Sequence, residues 1–434
     1  MLILIHSETN QRTIAQNLGR SEYSYYFVLK EYRPVLERLG RVVEVSDPDT
    51  EVDALYLDAQ ARGEDCVFLS FSPPHRTPVH LACPTLPVFA WEFSTIPNEP
   101  FDGEPRNDWR TVLKACGAAI THSSYTVDAV HAAMGAEYPI VAVPAPVWDR
   151  FAARGSALKT EVPPKQFRLR LKGLLVDSRQ LDLRAFGPAH LRRGKGIDFA
   201  APVQERELLL DGVVYSSVFN PCDGRKNWED MLSAFCVSFR EVEDATLVLK
   251  LTHFDAEEAL TDLLHHLYKN QPYRCRIVLI HGYLADADYE QLVQATRYVV
   301  NTSYGEGQCL PLMEFMSCGK PAVAPRTTAM IDYLDADNAF LIDSTDELTA
   351  WPHDPRKAFR TLRYITDWAS LCRAYRASYA VAKNDAVRYR QMSEHAVTSL
   401  QTFCSQAMAE QRLQGFFTQL AAARAAAVAE APPA

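Results

Sequence analysis

The stretch Thr302–Pro325, TSYGEGQCLPLMEFMSCGKPAVAP, decides the fold prediction. Tyr298–Asn301, just before it, has the composition of a short buried strand, and Pro311 suits the first turn of a helix, where its missing N–H costs nothing. Gly305 and Gly307 fall in the turn between them and can adopt positive φ angles that let the backbone approach a ligand. Because ligands bind at the carboxyl ends of strands in open α/β sheets, we predict a binding turn here.

The start of the predicted helix suits an anion. The N–H groups of Gln308, Cys309 and Leu310 would point out of the helix, where the positive end of its dipole favours a group such as a diphosphate. Glu314, one turn inside, could accept paired hydrogen bonds from ribose hydroxyls, and Glu306 in the loop could hold a sugar beyond the diphosphate. The structural alternative is that Glu314 is a first-turn acid favoured by the dipole and Glu306 a solvated loop residue.

Short apolar runs alternate with amphipathic stretches along most of the chain. Continuous apolar strands between helices are typical of parallel sheets that are covered on both faces. Because an irregular middle separates two such series, the sequence predicts two doubly wound α/β domains that face each other across a cleft. The strand candidates are Leu2–His6, Val42–Val45, Cys66–Phe71, Val88–Glu92, Ala118–Thr121 and Ile140–Val143, then Val213–Phe219, Thr246–Leu251, Arg276–Ile280, Tyr298–Asn301 and Pro321–Ala324.

The composition is that of an ordinary globular protein. The 434 residues are 47% hydrophobic and 23% charged, which suffices for two or three domains with sizeable cores. A net charge of −9 does not favour nucleic acid as the main partner. No window approaches the ~18 apolar residues of a membrane span, the first residues lack the pattern of a signal peptide, and the ten cysteines form no Cys-x-x-Cys pair. We expect a cytoplasmic protein.

The expected domain boundaries follow from the two series. An amino-terminal domain covers residues 1–200, a carboxy-terminal domain covers 208–375, and a helical segment at 376–434 packs back across both. Residues 153–207 form an irregular insertion, in which ten Lys or Arg residues stand against three acids over Lys159–Lys195. The insertion is either a contact for an anionic membrane surface or a phosphate-bearing acceptor, or a solvated β-hairpin arm with ordinary surface charges.

The central stretch resembles a known signature. Seven residues separate Glu306 from Glu314, and MSCGKPAVAP follows. This is similar to the E-x7-E motif and the next strand of retaining glycosyltransferases of family 4, and EG-x-x-LPLMEFMSCGKPAV is more specific than the glutamates alone. Similar segments occur in the family's order over residues 118–147 and 215–342: THSSYTVDAVHAAMG with IVAVPAPV, YSSVFNPCDGRKNWEDMLSAF, HGYLADADYEQLVQATRYVV and RTTAMIDYLDADNAFLID.

The resemblance implies the GT-B fold, with two facing Rossmann-like domains and a sugar nucleotide bound mainly by the second. It implies that Glu314 binds the ribose and that Glu306 contacts the donor sugar. The backbone at 308–310 would hold the diphosphate. Lys226, in GRKN, corresponds to the basic residue that neutralises the leaving diphosphate, where an ammonium stabilises the charge that grows as the glycosidic bond breaks.

The chain departs from the family pattern near Lys226. Asn220 stands where the family usually has a second basic residue, an arginine. Arg225, or Lys250 in LVLKLTH, would then supply the second positive charge for the donor diphosphate. Alternatively, Arg225 and Lys226 are solvated surface charges.

The amino-terminal domain is expected to bind the acceptor through loops that follow its strands. Gly19, His75 and Ser94 are the candidate contacts. Relatives often carry a histidine after the fourth strand, where this chain has Trp91-Glu92. The carboxylate of Glu92 would bind a sugar hydroxyl or accept the acceptor's proton. Each of these residues also has a structural alternative. Glu92 would be a carboxylate that accepts hydrogen bonds from loop N–H groups, Gly19 a simple turn glycine and His75 a solvated loop residue.

No metal and no other cofactor is expected. Transferases of the other major fold hold a divalent ion with an Asp-x-Asp pair at the end of a strand. Asp286–Asp288 and Asp335–Asp337 fall in loops or helix starts instead, so we predict caps or surface acids. A helix start and a lysine would balance the diphosphate.

Together these features predict a retaining glycosyltransferase. It would move a sugar from a nucleotide-diphosphate sugar to a hydroxyl of a glycan or lipid-linked acceptor, as in the synthesis of a bacterial surface polysaccharide. The candidate catalytic residues are Glu306, Lys226 and Glu92. The basic insertion would allow a peripheral contact with the inner membrane. Two alternatives stay open: a sugar-nucleotide epimerase or related GT-B enzyme, and a non-catalytic protein that binds glycans or sugar nucleotides.

Overall fold

The first part of the chain forms a parallel sheet with helices in its connections. The computed structural model describes residues 1–20, 22–157, 166–194, 196–197, 205–255, 257–352 and 354–430. The six strands follow the order β2-β1-β3-β4-β5-β6, and every neighbouring pair is parallel. The elements are β1 (Leu2–His6), α1 (Ile14–Asn17), α2 (Ser24–Leu39), β2 (Arg41–Glu44), α3 (Pro48–Ala61), β3 (Cys66–Phe71), β4 (Thr85–Phe89), α4 (Trp109–Cys116), β5 (Ala119–Thr121), α5 (Ser124–Met134), β6 (Ile140–Ala142) and α6 (Trp148–Ala157).

Strand β1 shows why these strands are apolar at every position. Leu2 and Leu4 lie in one buried cluster with Val52 of α3. Ile3 and Ile5 point to the opposite face, in another cluster that contains Tyr32 of α2. Because helices cover both faces, neither set of alternating side chains can be polar, as the sequence predicted.

A two-stranded arm follows inside the predicted insertion, and one strand of the insertion joins the next sheet. The elements are β7 (Gln166–Lys172), β8 (Leu174–Asp177) and β9 (Glu205–Asp211), with β7 and β9 antiparallel. Strand β8 pairs antiparallel with the second sheet, where Oδ2 of Asp177 accepts a hydrogen bond from Nη2 of Arg276 at 2.7 Å. Other parts of the insertion, 158–165, 195 and 198–204, lie outside the described residues.

The second sheet has seven strands in the order β15-β14-β13-β10-β11-β12-β8. All neighbouring pairs are parallel except β12 and β8. Its further elements are β10 (Val213–Phe219), α7 (Trp228–Ser238), β11 (Ala245–Leu251), α8 (Glu257–Lys269), β12 (Arg276–His281), α9 (Asp286–Ala295), β13 (Tyr298–Val300), α10 (Leu310–Ser317), β14 (Ala322–Pro325) and β15 (Ala339–Ile342). The prediction of two doubly wound domains is confirmed.

A hairpin that the sequence did not predict follows the second sheet. Its strands β16 (Ser344–Ala350) and β17 (Arg360–Thr366) pair antiparallel. Trp351, at the end of β16, packs across the domains against Trp91, with ring centroids 5.5 Å apart. Trp91 in turn lies 4.5 Å from Trp109. The hairpin therefore fastens the second domain to the loop after β4.

Three helices end the described chain: α11 (Trp368–Asn384), α12 (Ala386–Cys404) and α13 (Gln406–Glu430). Helices α12 and α13 contact both halves of the molecule. Ser393 donates a hydrogen bond to the backbone oxygen of Gly319, and Arg412 donates one to the backbone oxygen of Ala142 on the edge strand β6. Among the described helices, none combines the length and the apolar character needed to cross a bilayer.

Candidate active site

The carboxyl ends of the two sheets meet at one place. Nη1 of Arg225, in the loop after β10, lies 2.7 Å from Oε1 of Glu92, in the loop after β4. The loop after β13 also meets the loop after β4. A Cβ atom at Gly305 would lie 3.0 Å from the backbone oxygen of Glu92, and one at Gly307 would lie 2.9 Å from Cβ of Ala90. Ligands bind at such strand ends, so this junction is the candidate site.

The predicted positive φ angles of Gly305 and Gly307 are wrong. Neither glycine is in the left-handed region, whereas Cys309, directly before α10, has a φ of 62°. The two glycines are needed for a different reason, because a side chain on either would collide with the amino-terminal domain. Both glycines do allow a close approach, but its partner is the loop after β4 of the amino-terminal domain.

Helix α10 begins at Leu310, one residue before the predicted start at Pro311. Within the described part of the chain, the backbone N–H groups of Gln308, Cys309 and Leu310 donate no hydrogen bond. The side chain of Gln308 is engaged, since its Oε1 accepts the N–H of Ala145 from the first domain at 2.8 Å. The helix start thus offers free donors beside an interdomain contact, as an anion site requires.

Glu306 and Lys226 form a buried ion pair. Nζ of Lys226 lies 2.8 Å and 3.0 Å from the two carboxylate oxygens of Glu306. Ser303 Oγ, at 2.5 Å, and Asn301 Nδ2, at 3.0 Å, donate to the same carboxylate. Burial raises the pKa of Glu306, but Lys226 and Arg225 more than offset this, so the net pKa is lowered. Both members are therefore charged, and Lys226 is no solvated surface residue.

Arg225 is surrounded by acceptors. Besides Glu92, its guanidinium donates to Oδ2 of Asp223 at 2.8 Å and to the backbone oxygen of Gly305 at 3.0 Å. Burial opposes ionisation of Asp223, yet Arg225 and Lys226 lower its pKa to about 2. Burial raises the pKa of Glu92, and Arg225 only partly compensates. The charged groups of the site thus come from both domains.

Glu314 lies one turn inside α10 and is half-buried. Its Oε2 accepts a hydrogen bond from the hydroxyl of Tyr289 at 2.5 Å, and its Oε1 has no partner among the described residues. Burial raises the pKa of Glu314 to about 7, although the bond from Tyr289 and the nearby Arg150 lower it. Arg150 joins the domains here, with Nη1 3.0 Å from Glu31 and Nη2 3.1 Å from Asp286.

Lys250 and Asn220, the other predicted donor contacts, have partners within the protein. Nζ of buried Lys250 donates to the backbone oxygen of Leu251 at 2.9 Å, and burial lowers its pKa to about 7. Nδ2 of Asn220 donates to the backbone oxygen of Gly19 at 2.9 Å. Gly19 has a φ of 82°, and a Cβ there would lie 2.5 Å from the backbone oxygen of Thr252. Asn220 and Gly19 thus form part of the interdomain contact.

The comparisons with known proteins agree with this geometry. Residues 220–351 match the family model "Glycosyl transferases group 1", and this range contains Arg225, Lys226, Glu306 and Glu314. The whole structure is similar to sucrose-phosphate synthase from Thermosynechococcus elongatus, with a TM-score of 0.56, 13% identity and coverage of 98% of this chain and 100% of that one. The chain therefore contains a glycosyltransferase group 1 domain at residues 220–351 and has the GT-B fold.

Two further solved structures share the fold. The Anabaena protein HepE in complex with UDP and glucose gives a TM-score of 0.53 at 12% identity, over 96% of this chain and 100% of that one. A glycosyltransferase from Rickettsia africae gives 0.54 at 9% identity, over 96% and 98%. A search of curated proteins found no significant match.

Two of the predicted acceptor contacts are engaged by protein groups. The ring of His75 stacks on Trp109, with centroids 5.9 Å apart and an interplanar angle of 19°. The Ser94 hydroxyl accepts the N–H of Leu362 in β17 at 3.1 Å. Ser94 therefore binds the hairpin strand β17, and His75 packs on the tryptophan cluster that contains Trp109.

Sequence reasoning missed several residues that shape the site. Asn301 and Ser303 lie five and three residues before Glu306. This short separation was a signal that could have identified them as partners of its carboxylate. Asp223 precedes the GRKN string and could have been read as a turn cap. Tyr289 gave no signal, because a tyrosine on an amphipathic helix is normally a core residue.

The Asp-x-Asp pairs lie in ion pairs with basic side chains. Asp286 pairs with Lys30 at 3.0 Å, and Asp337 lies 3.4 Å from Arg388. Asp335 accepts a hydrogen bond from His395 at 2.9 Å. Over the residues that the structure describes, no three His, Cys, Asp or Glu side chains are grouped in a way that would hold a metal ion.

Proposed function

We propose that this enzyme transfers a sugar from a nucleoside-diphosphate sugar to a hydroxyl of a glycan or lipid-linked acceptor, with retention of configuration at the transferred carbon. Its biological setting would be the synthesis of a bacterial surface polysaccharide. The observation that supports this most is the buried Lys226–Glu306 pair beside the free N–H groups at the start of α10. UDP and glucose bound to HepE, a protein of the same fold, are in line with such a donor.

The donor diphosphate would lie at the helix start. The N–H groups of Gln308, Cys309 and Leu310 would donate to its oxygens, and the dipole of α10 favours its negative charge. Lys226 would move from Glu306 towards the phosphate oxygen whose charge grows as the bond to the sugar breaks. We propose that no metal ion takes part, because Lys226 and the N–H groups of the helix start would face the diphosphate.

The two glutamates of the motif would hold the two ends of the donor. Glu306, once released by Lys226, would accept hydrogen bonds from sugar hydroxyls while Ser303 and Asn301 keep it in place. Glu314 would accept from ribose hydroxyls through Oε1, which has no partner among the described residues, while Tyr289 fixes Oε2. Membership of family 4 would explain this division of roles.

For retention, the acceptor hydroxyl would attack the sugar from the face that the diphosphate leaves. The carbon–oxygen bond to the phosphate breaks with its electron pair going to the phosphate oxygen, and that oxygen takes the proton of the attacking hydroxyl. This route is supported by the position of Lys226 beside the start of α10, because both would stabilise a leaving diphosphate.

A screen of sugar nucleotides tests the proposal. Thermal unfolding is measured with UDP, GDP, ADP, CDP and dTDP sugars, because a ligand that binds the folded state raises the unfolding temperature. The donor that stabilises the protein is then incubated with candidate acceptors, and NMR of the product reports the anomeric configuration. An inverted product refutes retention, and conversion of the donor without any acceptor indicates an epimerase instead.

The cytoplasmic location and a peripheral contact with the inner membrane are further proposals. Arg168, Arg170 and Lys172 lie on the exposed face of β7, but Glu207 and Glu205 stand opposite Arg170 and Lys172 in register. The arm is therefore less basic than the sequence count suggests. Sedimentation with phosphatidylcholine vesicles, with and without anionic lipid, tests the contact, and equal binding to both would refute an electrostatic one.

A further inference from the structure

A buried ion pair joins the two domains inside the proposed donor site. Oε1 of Glu92 and Nη1 of Arg225 are 2.7 Å apart, with side chains only 15% and 19% exposed. The same guanidinium donates to Asp223 and to the backbone oxygen of Gly305. Arg225, the candidate for the second cation of the diphosphate site, is therefore already surrounded by protein acceptors.

The local charge is unfavourable for a diphosphate while Glu92 stays in place. Arg225 and Lys226 carry two positive charges, and Asp223, Glu92 and Glu306 carry three negative ones, which leaves a sum of −1. A diphosphate would add further negative charge to a site that water only partly screens. One carboxylate must therefore withdraw for the donor to bind Arg225.

The three carboxylates differ in how they are held. Asp223 also accepts the N–H of Arg225 at 3.1 Å, so it forms part of the turn. Glu306 is fixed by Ser303 and Asn301. Glu92 belongs to the opposite domain, and within the described ranges its carboxylate has no ion-pair or hydrogen-bond partner other than Arg225. Glu92 is thus the carboxylate that can leave without disrupting a loop of the donor domain.

We propose that Glu92 is a displaceable counter-ion, which holds Arg225 until the donor diphosphate takes its place. This inference rests on the proposed function and concerns how the same site is regulated. The pair lowers the affinity of Arg225 for other anions, because each must first displace a carboxylate. It also links donor binding to the relative position of the domains, since the two partners belong to different sheets.

Calorimetry with Glu92→Gln tests the proposal. The probe is whichever of UDP, GDP, ADP, CDP and dTDP binds the wild-type protein most tightly. We expect Glu92→Gln to bind it at least about fivefold more tightly, the lower limit of typical coupling between two binding events. The corresponding nucleoside, which has no phosphate, should show no gain.

A matched control is Glu99→Gln. Glu99 also belongs to the first domain and pairs with an arginine of the second, Arg356, at 2.9 Å, but it is half exposed and does not touch Arg225. This variant removes the same charge from the same domain, so it should leave the dissociation constant of the diphosphate unchanged. A gain of equal size in both variants would overturn the proposal, because it would indicate a general effect of charge.

The decisive measurement repeats Glu92→Gln in an Arg225→Met background. If Glu92 acts by competing for the guanidinium, the gain should vanish there. Weaker or unchanged binding by Glu92→Gln, or a gain that persists without Arg225, refutes the counter-ion. Should Glu92→Gln fail to fold, Glu92→Asp keeps the charge but shortens its reach, and it should also tighten binding. A wild-type protein that binds none of the five nucleotides refutes the proposed function itself, and the counter-ion with it.

Discussion

Replacing Lys226 by Met should destabilise the protein strongly, although the residue lies in the proposed donor site. The change leaves the Glu306 carboxylate, only 7% exposed, without its cation. Breaking a buried pair costs about 3–5 kcal/mol. Ser303 and Asn301 still donate to the carboxylate, and Lys226 itself is 16% exposed, so we expect the lower end, about 3 kcal/mol. At about 2–4 °C per kcal/mol, the unfolding temperature should fall by roughly 6–12 °C.

A double-mutant cycle separates the pair from its surroundings. Glu306→Gln alone leaves Lys226 without a counter-charge, whereas Lys226→Met with Glu306→Gln removes both charges. The double variant should therefore be more stable than the sum of the single effects by about 2 kcal/mol. Chemical unfolding followed by circular dichroism gives the four free energies.

The control is a lysine–carboxylate pair of the same domain at the surface. Lys383 Nζ lies 2.6 Å from Asp244, but the side chains are 43% and 42% exposed. Lys383→Met should lower the free energy of unfolding by no more than about 1 kcal/mol, because exposed ion pairs contribute little to stability. Equal costs for Lys226→Met and Lys383→Met, or additive effects in the cycle, would refute the buried pair as a preformed part of the site.

Three further predictions concern other parts of the molecule. Burial raises the pKa of Glu314 to about 7, so this carboxyl group ionises between pH 6 and pH 8. Binding of the nucleoside diphosphate should therefore tighten by up to about tenfold over that range. In calorimetry, Glu314→Gln should abolish this pH dependence. Gly19→Ala should lower the unfolding temperature more than Gly63→Ala. Both glycines have positive φ, but only at Gly19 would the new Cβ collide, 2.5 Å from the backbone oxygen of Thr252. Equal decreases in unfolding temperature would contradict this. Trp351→Ala should lower the free energy of unfolding by about 3–5 kcal/mol, because it leaves a cavity in the buried interdomain cluster. A decrease below about 1 kcal/mol in denaturant unfolding would show that the hairpin packs loosely.

The doubly wound architecture could be predicted because local pattern encodes it. Apolar runs such as Leu2–His6 reflect sheets that are buried on both faces, and the strand–turn–helix at 298–317 follows from its glycines and proline. By contrast, the edge strand β8 and the hairpin β16–β17 have exposed or mixed compositions. Their positions are set by partners about a hundred residues away or by the opposite domain, which local periodicity does not contain.

In the candidate site, too, the residue types could be predicted from local sequence but their distant partners could not. The sequence placed Glu306 and Glu314 near a helix start, where carboxylates have a clear chemical use, and the family resemblance added Lys226 to the same site. It did not identify the partners that those groups have in the structure, such as Tyr289 on Glu314, because these contacts join separate elements. For Gly305 the sequence indicated a close approach, yet only the structure shows that Glu92 of the other domain is what approaches.

The packing of Trp351 on Trp91 gives the protein an optical reporter of its own. The two indoles belong to different domains, and with Trp109 they form a cluster in which the centroids of neighbouring rings are 5.5 Å and 4.5 Å apart. A rotation that separates the domains would bring water to indoles that are now buried, and would thereby shift their emission to longer wavelength. Opening during turnover can thus be followed by stopped-flow fluorescence on unlabelled enzyme, with Trp351→Phe as the variant in which the signal should fade.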